Sequence, residues 1–167
     1  MCCLSDAPSL YWVSVLRHAQ RPRAFGGREG EHNRNWYLRG IDLVSETILL
    51  VEDEESLLEV LRLVLMGTGY TVLTARDGTE AVELYRRHKD QIALVLSDMG
   101  LPTLGGWEMF QQIRRINPVA KVILASGYFN AALREEFVQA GACDFIQKPY
   151  IPDVILQKIR DVIDQPR

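Results

Sequence analysis

Residues Thr47 to Glu55 read TILLVEDEE, an apolar run that ends in acids. After Thr47 come Ile48, Leu49, Leu50 and Val51 without a polar interruption, the composition of a strand covered on both faces. The run then stops in four consecutive acids, Glu52 to Glu55. A strand with no wet face needs helices above and below it, which implies further strands of the same kind separated by amphipathic helices.

Outward from Thr47 that alternation continues. Short runs rich in Val, Ile and Leu predict strands over Thr47–Val51, Thr71–Thr74, Ile92–Leu96, Lys121–Ala125 and Asp144–Gln147. Between them, Leu57, Leu58, Leu61, Val64 and Leu65 recur at helical spacing, as do Ala81, Leu84 and Tyr85, and Met109, Ile113 and Ile116. Asp77, Gly78 and Thr79 mark the turn into the second helix. A fourth helix is expected from a cap at Asn130 to Gly141, and a fifth opens with Pro152 in its first turn. The pattern predicts an α/β fold with a doubly wound parallel five-stranded sheet flanked by five helices. Trp107 is expected to pack at the start of the third helix, and Met66 and Met109 in or near the core.

The whole chain has 167 residues, 47% hydrophobic and 25% charged, which is room for one ordinary domain. A net charge of -3 provides no global basic field, so nucleic-acid binding by bulk electrostatics is not expected. Three cysteines, Cys2, Cys3 and Cys143, form no ligand or disulfide pattern and fit a reducing cytoplasm. The longest uncharged run, Leu63–Ala75, is shorter than the roughly 18 residues of a membrane span. Residues 1–46 differ from the rest: six arginines, no lysine, five acids and scattered Gly and Pro read as an N-terminal extension or linker, partly disordered. In it, Tyr11–Leu16 is a candidate strand or helical turn, and Trp36 and Tyr37 are candidate docking aromatics.

In a parallel sheet of this kind, ligands bind beyond the carboxyl ends of the strands. Those ends carry Glu52 and Asp53, Ser97 and Asp98, Ser126, and Lys148. Crowded carboxylates repel each other and are relieved by a divalent cation; hard oxygen donors select Mg²⁺, with Mn²⁺ as substitute. A lysine and a hydroxyl beside that metal complete a pocket for a tetrahedral oxyanion such as a phosphoryl group, with one carboxylate as nucleophile. Any one of these residues alone reads as a solvated loop residue; their coincidence at matched strand ends points to a site.

The runs ILLVEDEE (Ile48–Glu55), LSDMGLPTLGG (Leu96–Gly106), LASGY (Leu124–Tyr128) and FIQKPY (Phe145–Tyr150) resemble the receiver domain of two-component response regulators. The resemblance covers residue 47 to about residue 165, within a domain taken as 47–167, and implies strand order 2-1-3-4-5. LASGY and QKPY further resemble receivers at the end of hybrid sensor kinases. By position, the resemblance makes Asp98 the phospho-acceptor, Glu52 and Asp53 the acidic pair that holds Mg²⁺ with Asp98, and the Gly100 carbonyl a further ligand. It makes Lys148 the partner of the phosphoryl oxygens, Ser126 the hydroxyl that moves to bond them, and Phe145 the aromatic switch residue. A cis bond before Pro149 is expected on the same ground.

The function so implied is a phosphorylation-dependent switch, not an independent enzyme, that takes a phosphoryl group from a sensor histidine kinase or histidine phosphotransfer protein. It would assist its own phosphorylation and dephosphorylation, and change the face of the fourth helix, fifth strand and fifth helix for a downstream protein or a second copy. Ser126 stands where threonine is commoner, Phe145 lacks a tyrosine hydroxyl, and Gly100 replaces a bulkier residue, which bears on the phosphoryl lifetime. Rivals fit less well. A haloacid-dehalogenase-like phosphatase needs D-x-D after the first strand, where Glu52, Asp53 and Glu54 stand. A flavodoxin-like carrier needs a phosphate-binding loop there, and acids repel phosphate. A receiver that only binds partners is expected to lack Asp98 or Lys148. Gly67-Thr68-Gly69 follows a helix and precedes a strand, the reverse of a dinucleotide loop. Few residues follow the fifth helix, so no output domain is expected there, and a stand-alone regulator and the receiver end of a hybrid kinase are both open.

Overall fold

A computed structural model describes residues 46–128 and 131–166, without the side chains of 131–133. Among the described residues, five strands alternate with five helices: β1 (Thr47–Val51), α1 (Glu55–Gly67), β2 (Thr71–Ala75), α2 (Gly78–His88), β3 (Ile92–Asp98), α3 (Gly106–Ile116), β4 (Val122–Ser126), α4 (Ala131–Gln139), β5 (Asp144–Gln147) and α5 (Pro152–Asp164). All strand pairs are parallel, in the order β2-β1-β3-β4-β5.

Strand alternation divides the core into two layers. Leu49, Val51, Val95, Val122, Leu124 and Phe145 face one side, where Tyr85, Met109, Phe110, Ile113 and Phe137 of α2, α3 and α4 cover them. Ile48, Leu50, Leu94, Leu96, Ile123 and Ile146 face the other, against Leu58, Leu61 and Leu65 of α1 and Ile155, Ile159 and Val162 of α5. Both faces are thus buried, as the uninterrupted apolar runs require.

The helix ends follow from local chemistry. Asp77 Oδ1 accepts from the Glu80 backbone N–H at 2.9 Å, opening α2. At the end of α1, Gly69 takes φ +100° while the N–H groups of Thr68, Gly69 and Tyr70 return to the carbonyls of Leu65 and Met66. Gly69 there is a helix stop. Lys121 Nζ donates to the Ile163 and Gln165 carbonyls at 2.8 and 2.7 Å, covering the C-terminus of α5 from 42 and 44 residues away.

Several expectations change. β3 runs on through Ser97 and Asp98, β4 starts at Val122 and includes Ser126, and β2 includes Ala75. The ladder pairs backbone groups whatever the side chain, so it outlasts the apolar run: Val51 pairs with Ser97 and Asp98 with Ala125. Met66 is not a core residue; it is half exposed, with Arg62 Nη1 2.9 Å from its sulfur, because Leu58, Leu61 and Leu65 already form the buried stripe of α1. Trp107 and Met109 pack as expected, Trp107 between Phe110 and Phe137 with ring centroids 5.3 and 4.4 Å away. The readings of Tyr11–Leu16, Trp36, Tyr37, Cys2, Cys3 and the Asn130 cap fall outside the described residues. Among the described residues, no helix is long and apolar enough to cross a membrane.

Candidate functional site

Three backbone hydrogen bonds hold the strand ends together at one edge of the sheet. Glu52 N–H donates to Ala75 O (3.2 Å), Met99 N–H to Ala125 O (2.9 Å) and Lys148 N–H to Ser126 O (2.8 Å). These fix the residues just beyond β1, β3 and β5 relative to one another. The Lys148–Pro149 peptide is cis.

On that frame Glu52, Asp53 and Asp98 converge, one carboxylate oxygen from each lying within 4.8 Å of the others. Glu52 is 2% exposed and Asp98 9%, whereas Asp53 is exposed. Lys148 Nζ lies 2.8 Å from Asp98 Oδ2 and 3.1 Å from Glu52 Oε2, bridging the two buried acids. Tyr150 adds a second contact to Glu52: its hydroxyl donates to Oε2 at 3.1 Å, and its ring centroid is 5.1 Å from Lys148 Nζ.

Burial shifts the protonation equilibria. It raises the Glu52 pKa above the ordinary carboxylate value, against the pull of Lys148. Burial also opposes the Lys148 ammonium, but hydrogen bonds and charges from Asp98 and Glu52 outweigh it and raise that pKa. The Tyr150 phenol is pushed far up by burial and by the two nearby carboxylates, so it remains a donor. Three hard oxygen donors, one of them open to solvent, fit Mg²⁺ or Mn²⁺, which keep part of their water shell.

The approach to this pocket depends on close backbone contact. A Cβ on Gly106 would strike the Asp98 carbonyl oxygen and lie 2.7 Å from Met99 Cα, so glycine is what lets α3 start against the end of β3. A Cβ on Gly100 would lie 3.6 Å from Asp98 Oδ2, which places this backbone beside the carboxylate with room for a side chain.

Of the residues named from sequence, Glu52, Asp53, Asp98 and Lys148 come together. Ser97 does not join them: it is fully buried and its hydroxyl donates to the Asp98 carbonyl at 2.7 Å, since adjacent strand residues point to opposite faces. Ser126 ends β4, but its hydroxyl is held in the following turn, donating to Tyr128 O at 3.0 Å and accepting from Tyr128 N–H at 3.2 Å. Phe145 lies inward, 5% exposed, stacked 5.9 Å from Phe137 and with Arg134 over its ring. Tyr150 stands in the run FIQKPY, yet its spacing alone assigned it no role; the available signal was a hydroxyl-bearing aromatic two residues after the lysine.

Comparisons with known proteins place the chain in a family. The family model described as response regulator receiver domain matches residues 48–160. The chemotaxis protein CheY of Thermotoga maritima is 32% identical over 120 residues, which cover 71% of this chain and 98% of that protein. The transcriptional regulatory protein GlrR of Escherichia coli is 32% identical over 118 residues, and there the chain spans 26% of the relative's length. Among solved structures, the non-phosphorylated HemR receiver domain of Leptospira biflexa superposes with a TM-score of 0.69 at 31% identity, covering 74% of this chain and 98% of that one. CheY in the CheX–CheY–BeF₃–Mg²⁺ complex of Borrelia burgdorferi gives a TM-score of 0.69 at 28% identity, covering 72% and 90%. With more than half its length matched by that family model, the chain belongs to the response regulator receiver domains, the phosphorylation-dependent switches of two-component signalling.

Proposed function

We propose that Asp98 accepts the phosphoryl group, from a phosphohistidine on a sensor histidine kinase or histidine phosphotransfer protein. The observation that carries this reading is the 2.8 Å approach of Lys148 Nζ to Asp98 Oδ2 in a pocket with two further acids. An Asp98 oxygen attacks phosphorus, the P–N bond breaks, and the imidazole leaves with the electron pair. Lys148 pairs with the phosphoryl oxygens as charge gathers on them. Glu52, Asp53, Asp98 and the Gly100 carbonyl would hold Mg²⁺, which when bound neutralises phosphoryl charge as a Lewis acid. Hydrolysis resets the site: water attacks phosphorus, the bond from phosphorus to the Asp98 oxygen breaks, and inorganic phosphate leaves as the carboxylate is restored.

The added dianion draws the Ser126 hydroxyl from its turn with Tyr128 toward the phosphoryl oxygens. Phe145 already lies inward, so the change at its ring is a tightening of the stack with Phe137. The face of α4, β5 and α5 is then read by a downstream protein or a second copy. We read residues 1–46 as an extension outside the switch, and the compartment as the cytoplasm. A stand-alone regulator and the receiver end of a hybrid kinase both fit this reading.

Intact mass after incubation with Mg²⁺ and acetyl phosphate tests the assignment. A hydroxylamine-labile phosphoryl adduct that needs Mg²⁺ and is absent from Asp98→Asn is the expected result. If no adduct forms and beryllofluoride fails to bind, the domain acts as a protein-binding module without phosphorylation.

A further inference from the structure

Tyr150 contacts two of the charged residues of the pocket without being charged itself. Its hydroxyl donates to Glu52 Oε2 at 3.1 Å, and its ring lies 5.1 Å from Lys148 Nζ. Glu52 is 2% exposed, so its carboxylate depends chiefly on donors from the protein. Among the described residues its other side-chain donor is Lys148, at 3.3 Å from Oε1 and 3.1 Å from Oε2. These two donors differ in what they do to an arriving cation. The Lys148 ammonium repels it and competes for the same carboxylate; the neutral hydroxyl anchors one carboxylate oxygen and adds no repulsion.

We propose that Tyr150 is a positioning residue for the divalent cation, acting through its hydrogen bond to Glu52, an inference that rests on the assignment of Glu52 to the metal site. Outer hydrogen bonds of this kind orient metal ligands, and their removal typically costs tenfold or more in affinity. Without the hydroxyl, Glu52 has Lys148 as its remaining donor among the described contacts, and the ion pair that opposes the metal tightens. The carboxylate also gains freedom to rotate. Both effects weaken cation binding. Phenylalanine keeps the ring beneath Lys148, so Tyr150→Phe isolates the hydroxyl.

The test is a calorimetric Mg²⁺ titration of the full chain, wild type beside Tyr150→Phe, with melting in EDTA as a check on folding. The expected result is a Kd raised about tenfold in the variant. The Mg²⁺ concentration giving half-maximal acetyl phosphate labelling should rise by the same factor, and excess Mg²⁺ should recover the labelling. Equal Kd values in a folded variant overturn the inference and leave the metal site standing. A loss of labelling that excess Mg²⁺ does not recover, with an unchanged half-saturation point, also overturns it, since that marks a general structural role. A wild-type chain that binds no Mg²⁺ overturns the metal site itself, and the inference with it.

Discussion

Lys148 Nζ and Asp98 Oδ2 are 2.8 Å apart although fifty positions separate them, because β4 and β5 carry the lysine back to the end of β3. The lysine also compensates buried Glu52, so one ammonium serves both buried carboxylates. On the proposed phosphorylation of Asp98, Lys148→Met removes the charge that would meet the phosphoryl oxygens. Labelling by acetyl phosphate, followed by intact mass, should slow on the order of a hundredfold. Mg²⁺ binding, measured by calorimetry, should survive, since the competing ammonium is gone.

Gly100 lies beside Asp98 with space for a side chain, its notional Cβ 3.6 Å from Asp98 Oδ2. On the proposed phosphorylation of Asp98, a side chain there would screen part of the acyl phosphate from solvent. Gly100→Leu should therefore lengthen the phosphoryl lifetime severalfold, measured as decay of the adduct mass after removal of acetyl phosphate. An unchanged lifetime would show that water arrives from another direction.

Two glycines give opposite outcomes on substitution. At Gly106 an added Cβ meets the Asp98 and Met99 backbone, which cannot yield as a side chain would, so Gly106→Ala should destabilise by about 2 kcal/mol or more. At Gly67, the last residue of α1, an added Cβ meets nothing within 4 Å, and Gly67→Ala should stabilise by about 0.5–1 kcal/mol. Urea denaturation of both variants checks the contrast.

Tyr70 supplies a pH signature away from the pocket. Its pKa is raised above the usual 10, by burial first, against the pull of the neighbouring Arg160 guanidinium. A raised folded-state pKa means that its contribution is complete below the unfolded pKa and is lost as pH rises through the folded one. Above pH about 10, wild type should lose up to about 1.4 kcal/mol per pH unit that Tyr70→Phe does not lose. Urea midpoints at pH about 8 and about 11 measure the difference; parallel loss in both proteins would assign the alkaline sensitivity elsewhere.

Much of this domain is legible from local pattern. The runs that became β1 and β5 have the bounds read from the sequence, because an apolar stretch bounded by charge states where a doubly covered strand begins and ends. The buried stripes of α1, α2 and α3 follow from spacing for the same reason, although Val82 and Phe110 also face the core. The acids and the lysine at the strand ends follow once the strands are placed, since ligands collect beyond carboxyl ends.

What tertiary structure decided is which polar group meets which. Ser97 and Ser126 both sit at strand ends, yet the hydroxyl of Ser97 bonds a backbone carbonyl in the interior and that of Ser126 is held in a turn. Met66 continues an apolar run but lies outside the stripe that α1 turns toward the sheet. Tyr150 and Glu52 are 98 residues apart, and no spacing rule joins them. Periodicity is a local property and survives in the sequence; a hydrogen bond across the sheet depends on strand order, register and side-chain direction together, which exist only in the folded chain.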